Sequence, residues 1–427
     1  MPQPAPVIFI PGIMGSALRD EYPTTPENVW SVLKAATKNY ERITLHPDNI
    51  KYELVEPARV MQDQVFDLFY SEIIEELRHN LSQDPDKPVP VYPFAYDWRQ
   101  PLDVIQEQFS LFVTEVIART SLMRHYNRDG YTEATGKVNI VGHSMGGLIA
   151  AGYVQVAGMR WIDKVATIAS PFRGSLEAIA KTAIGIGGFT FSSGGSRERE
   201  AARVTPALYH LLPSFKNAVV TEDGKEADIF MADNWQQGIL DTLATFVERY
   251  GLSTTKPDNQ AKVLLTAMLD QAWKHRLRLE RLKLDDSKRW LCIVGVGGKT
   301  RLGMTLMFDP KTKKPIFAFG EETNEWSEGG DKTLTGDNTV PFRGARCAFV
   351  PENQIICLSP DEFGFFEFKD RLINQLGFHS ALPSMNLAQR LVVSHFLGWK
   401  QGKLEGHPSP EIDPNTWDPP VKGVERK

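Results

Sequence analysis

The stretch KVNIVGHSMGGLI, Lys137 to Ile149, sets a serine between two glycines where an apolar, β-branched run gives way to a helical pattern. Gly142-His143-Ser144-Met145-Gly146 fits G-x-S-x-G, a pattern suited to nucleophilic attack on an acyl carbon. To lift a hydroxyl above a sheet the backbone must turn sharply into an unfavourable conformation. Side chains two residues on either side would then collide with the neighbouring strand or helix. Glycine at 142 and 146 removes the collision. His143, directly beside the serine, is not expected to be its base, because adjacent residues on such a turn diverge.

A serine hydroxyl is a weak nucleophile until a base takes its proton, and the base needs an acid to orient it and stabilise its charged form. Behind an elbow of this kind the acid and then the histidine follow along the chain. Downstream of Ser144 the candidate acids include Asp309, Asp331, Asp337 and Asp361. Asp337, in LTGDNTVPF, lies where Gly336 and Asn338 mark a turn and structure resumes at Thr339, so a loop there can hold a carboxylate still. An Asp serving the turn alone would read the same way. For the base, His379 falls in a loop between Gly377 and Pro383, His395 inside an apolar helical pattern and His407 near the chain end, while His210 and His275 precede the acid. We take Asp337 and His379.

Attack also requires N–H donors for the developing oxyanion, usually the amide after the nucleophile and one from the loop after an early strand. Met145 supplies the first. For the second, VIFIPGIMGSAL (7–18) reads as a strand ending in Pro11-Gly12, which aims the amide of Ile13 or Met14 into the site; a plain strand-ending turn is the alternative.

These groups need a scaffold. Apolar runs recur at Val7 to Ile10, Pro90 to Tyr96, Lys137 to Val141, Lys164 to Ile168 and Trp290 to Val296, most with a helical pattern between them. Residues 67–81 and 101–120 carry apolar side chains at spacings of three and four, the second opening at Pro101. Such alternation predicts an α/β fold with a mostly parallel central sheet flanked by helices. We divide the chain into a first core segment, 1–175, with a candidate lid around 20–60; a helical cap, 176–289, where helical patterns run without an intervening strand; a second core segment, 290–400; and a Pro-rich tail, 401–427, extended or disordered.

A chain of 427 residues, 42% hydrophobic and 24% charged, can bury a large core. Its net charge of −5 offers no basic excess for phosphates, so nucleic acid is not expected as a partner. No charged leader or apolar span is apparent, and a cytoplasmic location is expected. Cys292, Cys347 and Cys357 have no metal-ligand spacing and suit buried, reduced thiols. Neither metal nor cofactor is needed by the chemistry above.

The motifs occur in an order that resembles the lecithin:cholesterol acyltransferase family of α/β-hydrolases. They are VIFIPGIMGSAL, YPFAYDWR (92–99), VNIVGHSMGGL, IASPFRGS (168–175), ALYHLLPS (207–214), IVGVGGKT (293–300), GDNTVPF and the late histidine. The resemblance implies an α/β-hydrolase core and an acyl-enzyme on Ser144, with Asp337 and His379 completing the triad and the amides of Ile13 and Met145 forming the oxyanion hole. It also implies action on acyl esters of glycerolipids, with water or an alcohol as acceptor. Gly12 would support the site, and Asp97 and Arg99 of YDWR, two apart on an extended segment, would pair in a network below it. Rival readings are a carboxylesterase for small soluble esters and a catalytically silent binding protein on the same fold.

Three further stretches carry signals of their own. IVGVGGKT ends like a phosphate loop, but position 293 is Ile where that motif needs glycine. The basic stretch 274–289 reads as a solvated helix face with interleaved acids, with contact to a membrane or micelle surface as the alternative. Residues 182–196 are glycine-rich and suit either a mobile lid or an inert loop.

Overall fold

Six strands pair in parallel throughout the central sheet of the computed structural model, which describes residues 3–31, 34, 43–45, 59–185, 196–249, 257–320, 322–323, 336–364 and 377–427. In chain order they are β1 (Val7–Ile10), β2 (Val91–Pro93), β3 (Val138–His143), β4 (Ile162–Ile168), β5 (Trp290–Gly295) and β6 (Ile356–Leu358), and in space they run β6-β5-β4-β3-β1-β2. Every residue of β1, β3 and β5 is buried, as expected of a parallel sheet covered on both faces. Register is set centrally by Ile8 beside Ile140 and Val165 beside Trp290.

The helices of eight or more residues among the described residues are α1 (Asp67–Leu81), α2 (Leu102–Ser121), α3 (Met145–Ala157), α4 (Leu176–Ile184), α5 (Ser196–Arg203), α6 (Gln237–Arg249), α7 (Pro257–Glu280) and α8 (Asn386–Leu397). α1 packs on α8 and α2 on α3, and these pairs cover the sheet. The order β2-β1-β3-β4-β5-β6 with these helices is an α/β-hydrolase fold. α1 has the bounds its period predicts, burying Phe69, Tyr70, Ile73, Ile74, Leu77 and Leu81 on one face. Pro101 is the residue before α2 rather than within it, where a missing N–H costs nothing. Among the described residues no helix is long and apolar enough to cross a membrane.

Two parts differ from expectation. The interval 176–289 is not purely helical: Val219–Thr221 is a strand, pairing with Met304–Phe308, which pairs in turn with Pro315–Phe319. Three residues are too few to display a period of two, and their partners come some eighty positions later. The tail is neither free nor unstructured. Cys357 in β6 exchanges two backbone hydrogen bonds with His407, at 2.8 and 2.9 Å, and Trp417 Nε1–H donates to the Ile355 carbonyl. Glu405–Gly406 and Glu425–Arg426 then pair with each other. The prolines space these contacts but do not prevent them, since the edge of β6 needs only isolated partners.

Of the lid expected around 20–60, Glu27–Trp30 lies in an antiparallel sheet with Ser16–Asp20 and Val60–Val65; most of the remainder lies outside the described residues. The glycine-rich segment considered as a second lid falls largely in 186–195, also outside them.

Candidate active site

β3 delivers Ser144 at the strand-to-helix corner with φ 51° and ψ −125°, a region a serine adopts only when its surroundings impose it. The surroundings are three glycines. A Cβ on Gly142 would lie 2.8 Å from the Gly146 backbone, one on Gly146 would overlap the Ile10 carbonyl, and one on Gly12 would reach 3.0 Å from Ser144 Cβ. Strand, helix and the loop after β1 therefore close to backbone contact around the serine.

Asp337 and His379 come from the two loops that follow β5 and β6. His379 Nδ1 lies 2.7 Å from Asp337 Oδ2, and His379 Nε2 lies 2.9 Å from Ser144 Oγ. Asp337 Oδ1 accepts the amides of Thr339 at 3.0 Å and Val340 at 2.7 Å, which fix its orientation. A carboxylate only accepts, so the ring proton sits on Nδ1 and Nε2 is left to receive the serine proton. Ser144 is 2% exposed, and the other two residues are equally covered. Of the other candidate acids, Asp309 caps an exposed turn and Asp361 sits in a short 3-10 helix, both apart from the triad, while Asp331 lies outside the described residues. His395, within α8, is buried with Nε2 toward the Arg289 carbonyl, and burial drives its pKa down to about 3. His407 pairs with Glu362.

The loop Pro11 to Ser16 is pinned by its carbonyls. Tyr96 Oη–H donates to Pro11 O at 2.8 Å, Trp30 Nε1–H to Met14 O at 3.2 Å and Trp98 Nε1–H to Ser16 O at 3.2 Å. Met14 is held at φ 62°. The amides of Ile13 and Met14 take no part in these bonds, and Met145, first in α3, has no intrahelical acceptor for its own. YDWR is thus partly a clamp for this loop. Within it Arg99, fully buried, grips Asp97 with Nε at 2.9 Å and Nη2 at 3.0 Å, a two-pronged pair that Gln100 extends.

Beside Ile13 and Met14 a narrow cleft of about 30 Å³ is walled by Ile43, Trp98, Ala202 and Leu208. The buried Lys181–Glu198 pair lies at its side, joining α4 to α5; burial brings the Lys181 pKa down to about 7.

Several supporting residues escaped the sequence reading. Thr300 Oγ1, in the segment that imitated a phosphate loop, accepts the Asn338 amide at 3.0 Å and donates to Gly298 O. Asn338 Nδ2–H donates to Lys299 O and its Oδ1 accepts the Phe378 amide, so one side chain spans the acid and base loops. Ser175 of SPFRGS donates to the Thr339 carbonyl. The basic stretch is largely an anchor: buried Arg276 donates to the carbonyls of Phe172, His210 and Leu212, Arg278 pairs with Asp103, and Arg289 bonds the Asp163 carbonyl. Asparagine in a turn and arginine in a helix are too common to have signalled these roles.

All three cysteines are buried and unbridged, and among the described residues no group of three His, Cys, Asp or Glu is placed to hold a metal ion.

Among solved structures, a chain in the crystal structure of the Tle4-Tli4 complex superposes with a TM-score of 0.58 at 15% identity, covering 81% of this chain and 89% of that one. Phospholipase PlaB from Legionella pneumophila and EstA from Clostridium botulinum match more loosely. Their TM-scores are 0.30 and 0.28 at 12% and 11% identity, covering 79% and 82% of this chain and 55% and 75% of theirs. None of the curated proteins compared with the chain matches it. The family model described as lecithin:cholesterol acyltransferase matches residues 67–348, more than half of the sequence, and the chain therefore belongs to that family of acyl-ester hydrolases and acyltransferases.

Proposed function

We propose that this protein is a serine-dependent acyl-ester hydrolase or acyltransferase that works through an acyl-enzyme on Ser144, with lipid esters as donors. The observation carrying the reading is the unbroken chain from Ser144 Oγ through the His379 ring to the Asp337 carboxylate, at 2.9 and 2.7 Å, on a strained strand-to-helix corner.

In the proposed sequence Ser144 Oγ attacks the ester carbonyl as its proton passes to His379 Nε2. Asp337 stabilises the resulting imidazolium through Nδ1–H. The amides of Met145 and Ile13 receive the oxyanion. Collapse expels the alcohol, which takes the proton from Nε2, and leaves an ester on Ser144. Water or a second alcohol then gives its proton to His379, attacks the acyl carbon, and is released with the acyl group as Ser144 regains its proton. Membership of the family supports a lipid donor presented at a vesicle or micelle surface.

The test is fluorophosphonate labelling read by intact mass, with the adduct mapped by digestion and repeated in His379→Ala. An adduct on Ser144 that slows sharply in the variant supports the mechanism, whereas an adduct elsewhere, or none even with detergent, favours a silent binding protein. A chain-length series of esters, soluble and in vesicles, then separates the lipid reading from an esterase for small soluble esters. Absence of any preference for long chains or interfaces would remove the lipid assignment.

A further inference from the structure

Behind the triad runs a second line of buried polar groups that the mechanism above does not use. Tyr70 lies on α1 and His143 ends β3, both buried, between the loop after β1 and the loop that carries His379. The Gly12 amide lies 3.0 Å from Tyr70 Oη, Tyr70 Oη lies 2.9 Å from His143 Nδ1, and His143 Nε2 lies 3.1 Å from the His379 carbonyl oxygen.

The two ends fix the direction of the whole line. A backbone amide only donates and a carbonyl only accepts. The His379 carbonyl requires the proton on His143 Nε2, so in a neutral ring Nδ1 can only accept, and Tyr70 Oη gives it its single proton. For a neutral imidazole no other assignment satisfies all three contacts. The rings are themselves fixed: Tyr70 packs on Phe9 at 5.1 Å between centroids, and His143 lies 5.1 Å from the His379 ring. Burial holds His143 well below the usual imidazole pKa, and the neighbouring His379 lowers it further, in keeping with the neutral form the bonds require.

We propose that Tyr70 and His143 are positioning residues: a one-way hydrogen-bonded relay that ties the loop carrying the oxyanion donor to the backbone of the catalytic base. The inference rests on the Ser144 mechanism proposed above. Its physical sense lies in what each end controls. Gly12 precedes Ile13, whose amide must face the developing oxyanion. The carbonyl of His379 belongs to a four-residue helix, Phe378–Ala381, too short to satisfy that carbonyl internally. Through Tyr70 and His143 the donor and the base are set against each other, across 58, 73 and 236 positions of sequence. Rate is sensitive to such placement, and a misplacement of about 1 Å can lower it about 100-fold.

The experiment measures, on the full chain, the fluorophosphonate labelling rate of Ser144 together with kcat and KM for an activated p-nitrophenyl ester. Tyr70→Phe keeps the ring and removes only the hydroxyl. The expected result is a fall of about 10- to 100-fold in labelling and kcat with KM nearly unchanged. His143→Gln, which keeps an N–H able to reach the His379 carbonyl, loses less than His143→Leu. The double variant Tyr70→Phe with His143→Leu is no slower than the worse single one, as befits groups acting as a unit. Labelling of Tyr70→Phe at the parental rate, with the parent labelled on Ser144, overturns the relay and leaves the serine mechanism standing. A parent that is not labelled on Ser144 overturns both. Should Tyr70→Phe not fold, the two His143 variants decide: equal rates overturn the relay, and a slower Leu variant supports it.

Discussion

Asp337 and His379 are joined twice, once by their side chains at 2.7 Å and once by the His379 amide donating to the Asp337 carbonyl at 2.8 Å. The second bond aligns the loops whether or not the first is charged, which separates the electrostatic role of the carboxylate from its structural one. Asp337→Asn should therefore fold normally, its amide oxygen still accepting from Thr339 and Val340. Its NH₂ group would face Nδ1 and move the ring proton to Nε2, opposite Ser144. The expected loss in kcat is on the order of 10⁴-fold with little change in melting temperature. Steady-state kinetics and a thermal melt on the same preparation check it.

Arg99 and Asp97 test how much the clamp beneath the loop contributes. Both are buried, so Arg99→Met leaves the carboxylate, among the described residues, with Gln100 and a backbone amide to answer it. The expected destabilisation is about 3–5 kcal/mol, read as a lower midpoint in urea with the slope unchanged.

Acid should weaken the fold through its buried histidines. Burial lowers the pKa of His143, His210, His275 and His395, bringing His210 and His395 to about 3. An unfolded histidine titrates near 6.5. Between that value and about 3 the unfolded chain binds more protons than the folded one, so stability declines as pH falls through this window. Each group contributes up to about 1.4 kcal/mol per pH unit. Urea midpoints at about pH 7 and about pH 5 measure the slope. His210→Phe should flatten it, since His210 meets His275 edge to face at 5.1 Å and its Nδ1 has no partner among the described residues.

Removal of residues 401–427 should also be felt. It uncovers the edge of β6 where Cys357 bonds His407, and an unpaired edge strand recruits other chains. The truncated protein should melt lower and scatter light on warming, whereas a free tail would leave both unchanged.

Legibility in the sequence followed the range of the interactions. The elbow could be read because its sterics act within five residues, and α1 because burial of one face imposes its period over fifteen. Asp337 and His379 could be narrowed down because few residues in that order can perform the chemistry. Tyr70 could not, because nothing near it in sequence distinguishes it from any tyrosine on a buried helix face. The same holds for Thr300 and Asn338, whose bonds link loops that meet only after the sheet has formed. The basic stretch misled in the opposite sense: charge density suggests solvent, but Arg276 is spent on carbonyls inside the fold.

The burial of Ser144 bears on the fate of an acyl group attached to it. An ester formed in a pocket that bulk solvent hardly reaches is protected from hydrolysis simply by the scarcity of water there. An alcohol that enters alongside the donor, or is held where the first alcohol departed, then competes at an effective concentration set by the pocket rather than by the surrounding solution. On the proposed mechanism, the balance between hydrolysis and transfer would be a property of the cover over the serine, not of the triad beneath it.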